Sequence, residues 1–233
     1  MSRGRPPKVP DAGDLAPSSR QVVTRSPGHT VRSINLPHLQ QIAIEADSSL
    51  ERDFVYIALA FPLLKTITHQ PFQLELAAGR YTPDFLVEFK DGSKTVVEVK
   101  PESKMSGFHE KLKQAETKLA AHSIQLLLAH DTLLRRDNIE KRSKLIRRYA
   151  KGQYPAHEQA LVIDLLRGAT TGLSVKSLTS AGVQKVTILH MISHQKLQVS
   201  SDLDIGDDAV LYLPCLNNEE GTHAIRFAGW LDT

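Results

Sequence analysis

The strongest constraint on the fold lies between residues 81 and 100, where two runs of largely alternating apolar and polar residues flank Asp91-Gly92. Such a dipeptide accepts the backbone of a tight turn, so the runs 81–89 and 95–100 are expected to pair as an antiparallel hairpin. Side chains on a strand alternate faces with period 2. Glu98 and Lys100 then point to one side of the sheet, Val97 and Val99 point to the other, and Asp84 on the first strand comes beside Glu98. A third strand is expected over 70–77, with Ala78-Gly79 as its turn.

Helices surround these strands. Ser48-Ser49-Leu50-Glu51 has the form of a capping box, and Leu50, Phe54, Ile57, Ala58 and Phe61 follow at helical spacing up to Pro62. Phe108, Leu112, Ala115 and Leu119 mark one face of a second helix. The apolar run 124–129 reads as a strand buried on both faces, and 134–151 as one long helix. This order predicts an α/β fold with a mixed sheet flanked by helices. After Gly152-Gln153-Tyr154-Pro155, three short helices near 157–167, 174–181 and 183–195 precede an alternating stretch at 197–213, the order of a winged-helix-like module. Three segments are expected: a flexible, proline-rich basic arm at 1–33, an α/β domain at 34–152 and a winged-helix-like domain at 153–233.

Charge divides along nearly the same lines. Residues 1–152 carry 24 Lys and Arg against 17 Asp and Glu, a net +7, whereas residues 153–233 carry 5 against 9, a net −4. A basic half suits double-stranded DNA, because Lys and Arg release counterions condensed on phosphates; the acidic half suits a protein partner. Candidate DNA contacts are Arg135, Arg136, Lys141, Arg142, Lys144, Arg147 and Arg148, together with Arg3 and Arg5 of Arg3-Gly4-Arg5-Pro6, a segment similar to a minor-groove AT-hook. The lone Cys215 excludes an internal disulfide and a cysteine-based zinc site. No uncharged apolar run approaches the roughly 20 residues of a membrane span, and the N-terminus lacks a secretion signal, so a cytoplasmic location without membrane contact is expected. His157-Glu158 lacks the second histidine of a zincin helix, and His190 with His194 lacks a third ligand.

The hairpin carries the chemistry. Pro83-Asp84 is followed fourteen positions later by Glu98 and then by Lys100, the PD and ExK elements of the PD-(D/E)xK nuclease pattern. Hard carboxylate oxygens suit Mg²⁺ or Mn²⁺, the ions that polarise a phosphodiester and lower the pKa of bound water. Lys100 is placed to orient the attacking water and offset charge on the phosphate. Glu51 has two readings, a third carboxylate leaning toward the sheet or the reciprocal partner of its own capping box. His69 and Gln70, before Pro71, read as structural.

With Leu50-Glu51-Arg52-Asp53-Phe54, Gln70-Pro71, Tyr81-Thr82-Pro83-Asp84-Phe85, Val97-Glu98-Val99-Lys100-Pro101 and the segment Asn138…Arg147-Arg148-Tyr149, the chain resembles the TnsA family over about residues 45–150. That family is the endonuclease subunit of heteromeric transposases. The resemblance implies a restriction-endonuclease-like fold, a catalytic set of Glu51, Asp84, Glu98 and Lys100, and Mg²⁺ held by Glu51, Asp84 and Glu98, with Mn²⁺ able to replace it. It further implies cutting of the 5′ strands at transposon ends beside a DDE-type transposase and an AAA-type regulatory ATPase. Glu98 stands where some members carry Gln. Two other readings stay open: a stand-alone restriction or repair nuclease of the same superfamily, and a non-catalytic DNA-binding assembly subunit.

Overall fold

Burial selects which alternating runs enter the central sheet. A computed structural model describes residues 16–17, 32–217 and 221–232, so Arg3 and Arg5 lie outside the described residues. In chain order the first part contains β1 (Ala16–Pro17), β2 (Arg32–Ile34), β3 (Ile44–Ala46), α1 (Ser49–Ala58), β4 (Leu64–His69), β5 (Phe72–Leu76), β6 (Gly79–Tyr81), β7 (Phe85–Phe89) and β8 (Lys94–Val99). Then follow α2 (His109–Ala120), β9 (Gln125–Ala129), α3 (Asp131–Arg135), α4 (Ile139–Arg148), α5 (Ala156–Arg167), β10 (Leu173–Ser174), α6 (Val175–Ser180), α7 (Lys185–Ser193), β11 (Val210–Leu211) and α8 (His223–Asp232).

The main sheet runs in the order β4-β7-β8-β9; β8 and β9 are parallel and the other pairs antiparallel. This is the expected mixed sheet flanked by helices. Gly92 takes the positive φ that the β7–β8 turn requires, and its N–H closes the turn on the Phe89 carbonyl. On one face Phe85, Val87, Phe89, Val97 and Val99 join α1 and α4 in the principal core. On the other face Val96 joins Phe72, Leu74, Tyr81 and the α2 residues Leu112, Ala115 and Leu119. Burying each large apolar side chain contributes about 1.5–3 kcal/mol, so covering both faces of β8 fixes its register firmly.

Several elements differ from the sequence expectation for definable reasons. The continuous strand expected over 81–89 breaks at Thr82-Pro83-Asp84 into β6 and β7. Pro83 has no N–H for a ladder, and the Asp84 carbonyl instead accepts the Gln70 N–H at 2.8 Å. β4 was not anticipated, because a bulge between Leu64 and Thr66 interrupts its alternation. β9 is the sheet's edge rather than a strand buried on both faces, and Leu126, Leu127 and Leu128 are half-buried. The expected helix over 134–151 divides into α3 and α4 because Asp137 and Asn138 adopt φ of 45° and 61°.

α8, a helix with no counterpart in the sequence reading, returns to the sheet. Phe227 lies 5.2 Å from both Phe61 and Phe89 between ring centroids. The turn residues of the β7–β8 hairpin cap it: Asp91 accepts the His223 N–H at 2.8 Å and Ser93 Oγ accepts the Ala224 N–H at 3.0 Å. α5, α6 and α7 follow in the anticipated order, with β10 pairing β11 and an isolated bridge joining Gln198 to Tyr212.

Candidate active site

The proline break that ends β6 also places Asp84 at the mouth of the β7–β8 hairpin. Phe85 pairs with Val97, so Asp84, one residue earlier, falls opposite Glu98. The Val99 N–H donates to Asp84 Oδ2 at 2.8 Å across the strands. Glu98, only 3% exposed, accepts the Tyr81 hydroxyl on Oε2 at 2.8 Å and the Lys100 ammonium on Oε1. Lys100 also lies over the Phe108 ring, 4.7 Å from its centroid. The structure therefore brings Asp84, Glu98 and Lys100 together on one face.

Glu51 satisfies both of its readings in part. Its N–H donates to Ser48 Oγ at 3.1 Å, and its Oε2 accepts the Asp47 N–H at 2.8 Å, which is capping behaviour. The same side chain borders two adjoining depressions. One is acidic, lined by Glu45, Asp47, Glu51, His69, Gln70 and Asp84. The other is a cleft of about 480 Å³ where Glu51 meets Lys100, Lys104, Phe108 and Arg135. A region suited to cations thus adjoins one suited to phosphates.

Electrostatics agree with this division. Burial, and then the negative charge of Glu98, push the Asp84 carboxyl up to about 7, against the pull of the Val99 N–H and the Lys100 ammonium. Burial likewise raises Glu51. Burial and the Glu98 charge hold the Tyr81 hydroxyl in its protonated form, so it acts as a donor.

Do these residues fit a divalent ion? Among the described residues, no three His, Cys, Asp or Glu side chains form a closed ligand cage, because Glu51 is turned onto the Asp47 N–H and Glu98 onto Tyr81 and Lys100. The donor chemistry nevertheless fits. Two facing carboxylates share one nearby ammonium, and Gln70 Oε1 is buried beside the acidic depression without a donor among the described residues. Gln70 also holds a positive φ of 39° before Pro71, a strained backbone of the kind found near functional sites.

The basic run is largely committed to the fold. Arg135 and Lys144 pair with the buried Asp53 of α1, the lysine at 2.9 Å. Arg136 donates to the Leu133 and Leu231 carbonyls, Arg142 to those of Asp137 and Asp202, Arg147 to that of Asn35, and Lys141 to Asn138 Oδ1. Arg148 stays exposed. Sequence reasoning passed over Tyr81, Glu45, Asp47, Lys104 and Phe108. No local signal in the sequence marks Tyr81, whose contact with Glu98 spans 17 positions.

Residues 54–130 match the family model described as TnsA-like endonuclease N terminal. No curated protein matches the chain.

Proposed function

Because residues 54–130 match the TnsA-like endonuclease N-terminal family, we propose that the chain is a metal-dependent DNA endonuclease that cuts the 5′ strands at transposon ends. The observation that carries this reading is the opposition of Asp84 and Glu98 across the β7–β8 pair with Lys100 against Glu98. Asp84 and Glu98 hold Mg²⁺, or Mn²⁺ in its place, and Glu51 offers a third carboxylate from α1. The ion, when bound, neutralises phosphate charge and lowers the pKa of a coordinated water. Lys100 orients the attacking water and offsets charge developing on the phosphate. Lys104 and Arg135 line the cleft in which the neighbouring phosphates lie, and Phe108 packs beside them.

Partners follow from the same reading. A DDE-type transposase cuts and joins the 3′ strands, and an AAA-type ATPase regulates both subunits. The acidic segment 153–233, read as a winged-helix-like module built on α5, α6 and α7, is the protein-facing part. It presents Tyr212 and Leu216 to solvent, 42% and 64% exposed. No described helix is long and apolar enough to cross a membrane.

The test is strand-resolved nicking of a transposon-end duplex by the full chain with its partner transposase and Mg²⁺. Cuts confined to the 5′ strands, lost in Asp84→Ala and Lys100→Ala while the complex still assembles, are expected. Unchanged cutting by either variant removes the site assignment. Efficient cutting of arbitrary duplex without the partner selects a stand-alone nuclease instead.

A further inference from the structure

Glu98 has two donors, Tyr81 and Lys100, and the proposed reaction makes a second demand on one of them. Lys100 sits on Glu98 Oε1 in the resting protein. Its ammonium has three N–H donors on a flexible chain, and orienting water against a phosphate draws on them, so its hold on that oxygen shifts during the reaction. Glu98 is 3% exposed, so bulk water is a poor substitute for a protein donor, and the like charge of Asp84 lies across the strand pair. A buried carboxylate short of donors is costly, so a donor fixed by the fold holds its orientation best.

Tyr81 supplies a fixed donor. Its hydroxyl reaches Glu98 Oε2 at 2.8 Å, and the residue is 5% exposed in the cluster that holds Phe72, Leu74, Val96 and Leu112. The β5–β6 hairpin sets its place: Tyr81 pairs with Leu74, and the Ala78 N–H at the turn donates to Gln114 of α2 at 3.1 Å. The phenol is rigid beyond two torsions, whereas the Lys100 chain is 23% exposed and bends freely.

We infer that Tyr81 is a positioning residue for Glu98: its hydroxyl keeps the carboxylate aimed at the divalent-ion site while Lys100 turns toward the substrate. The inference rests on the metal-dependent reading of the preceding subsection. Donors that orient a ligating carboxylate typically carry a 10- to 100-fold effect on metal affinity.

Tyr81→Phe keeps the ring and removes only the donor. Mn²⁺ binding to the full-length resting protein, followed by electron paramagnetic resonance, is expected to weaken at least tenfold in this variant, with a thermal midpoint within a few degrees of the parent. The Mg²⁺ concentration for half-maximal nicking should rise by the same factor, while the rate at saturating Mg²⁺ stays within about threefold. A double-mutant cycle supplies the second measurement. In a Glu98→Ala background, Tyr81→Phe should leave the residual Mn²⁺ affinity unchanged. Parent-like Mn²⁺ affinity in Tyr81→Phe overturns the role of Tyr81 and leaves the nuclease reading standing. An equal loss with and without Glu98 also overturns it, since Tyr81 would then act through packing. Absence of Mn²⁺ binding by the parent overturns the metal-dependent reading itself and this inference with it.

Discussion

Glu158 in the C-terminal helices and Asp84 in the sheet are both carboxylates withdrawn from solvent, yet their surroundings act on them in opposite senses. Glu158, 5% exposed, accepts the Thr187 hydroxyl at 2.6 Å, the Gln184 N–H at 2.9 Å and the Gln184 side-chain amide at 3.2 Å. Those bonds, that from Thr187 foremost, hold its pKa below the ordinary value. It ties α5 to the N-terminal end of α7. Asp84 has one backbone N–H and faces Glu98, and its pKa rises. A carboxylate whose charge is fully met belongs to the architecture. One whose charge is left wanting positive partners is, on the proposed reading, where the divalent ion would supply them. Most cations of the basic residues 135–148 also have partners within the fold, and Arg135, paired with Asp53, still borders the cleft.

The comparison breaks first at Asp84. Asp84→Asn is expected to lower nicking by about a thousandfold or more, in keeping with loss of an essential metal ligand. It should also raise the thermal midpoint of the chelator-treated protein at pH 8. The sign follows from linkage. The unperturbed carboxyl titrates at 3.8 and the folded one at about 7, so the folded state holds the extra proton between those values and metal-free stability falls as pH rises through that window. Thermal melts of parent and variant at pH 4 and pH 8 check this; a variant no more stable than the parent at pH 8 would remove the claim of unmet charge.

Glu158→Ala should act on stability alone. It leaves three donors without their acceptor and uncaps α7, a loss of about 2 kcal/mol by chemical denaturation, with Mn²⁺ affinity unchanged. Because the folded pKa is depressed, the Glu158 contribution is present above the unperturbed value of 4.5 and fades as pH falls through the folded one. The gap between parent and variant should therefore narrow in acid. A shifted Mn²⁺ affinity in this variant would show that the two carboxylates are not independent.

Next in size is the competition between proton and cation for Asp84. Mn²⁺ affinity should weaken about tenfold per pH unit below about 7 and level off above it, as isothermal titration across pH 5.5 to 8.5 would reveal. A flat profile would mean that Asp84 does not hold the ion. The smallest effect concerns the basic helix. Arg148→Ala should weaken DNA binding a few-fold and reduce the salt slope by about one, with an unchanged melt. Arg136→Ala, which removes donors to the Leu133 and Leu231 carbonyls, should lower the melt. Equal effects of both on DNA binding would restore the whole run as a phosphate surface.

Much of this was legible in the sequence because it is local. The period of β8, the Asp91-Gly92 turn and the Ser48 cap each depend on neighbours a few residues away, so Asp84, Glu98 and Lys100 could be placed on one face before any coordinates. The rest depends on contacts distant in the chain. Nothing near Tyr81 announces that its hydroxyl reaches Glu98, because that contact requires the β5–β6 hairpin to fold over β8 and α2 to hold it there. Arg147 looks like a phosphate ligand until its bond to Asn35, 112 residues away, is seen. α8 escaped notice because its purpose, covering Phe61 and Phe89, is set by residues that lie over 130 positions earlier.

Anomalous scattering from a crystal soaked in Mn²⁺ at pH 8 tests the central claim most directly. The account predicts a peak bonded to oxygens of both Asp84 and Glu98, within the roughly 2.0–2.2 Å expected of a small octahedral cation. A peak at some other cluster, or a site left vacant at millimolar Mn²⁺, would contradict it.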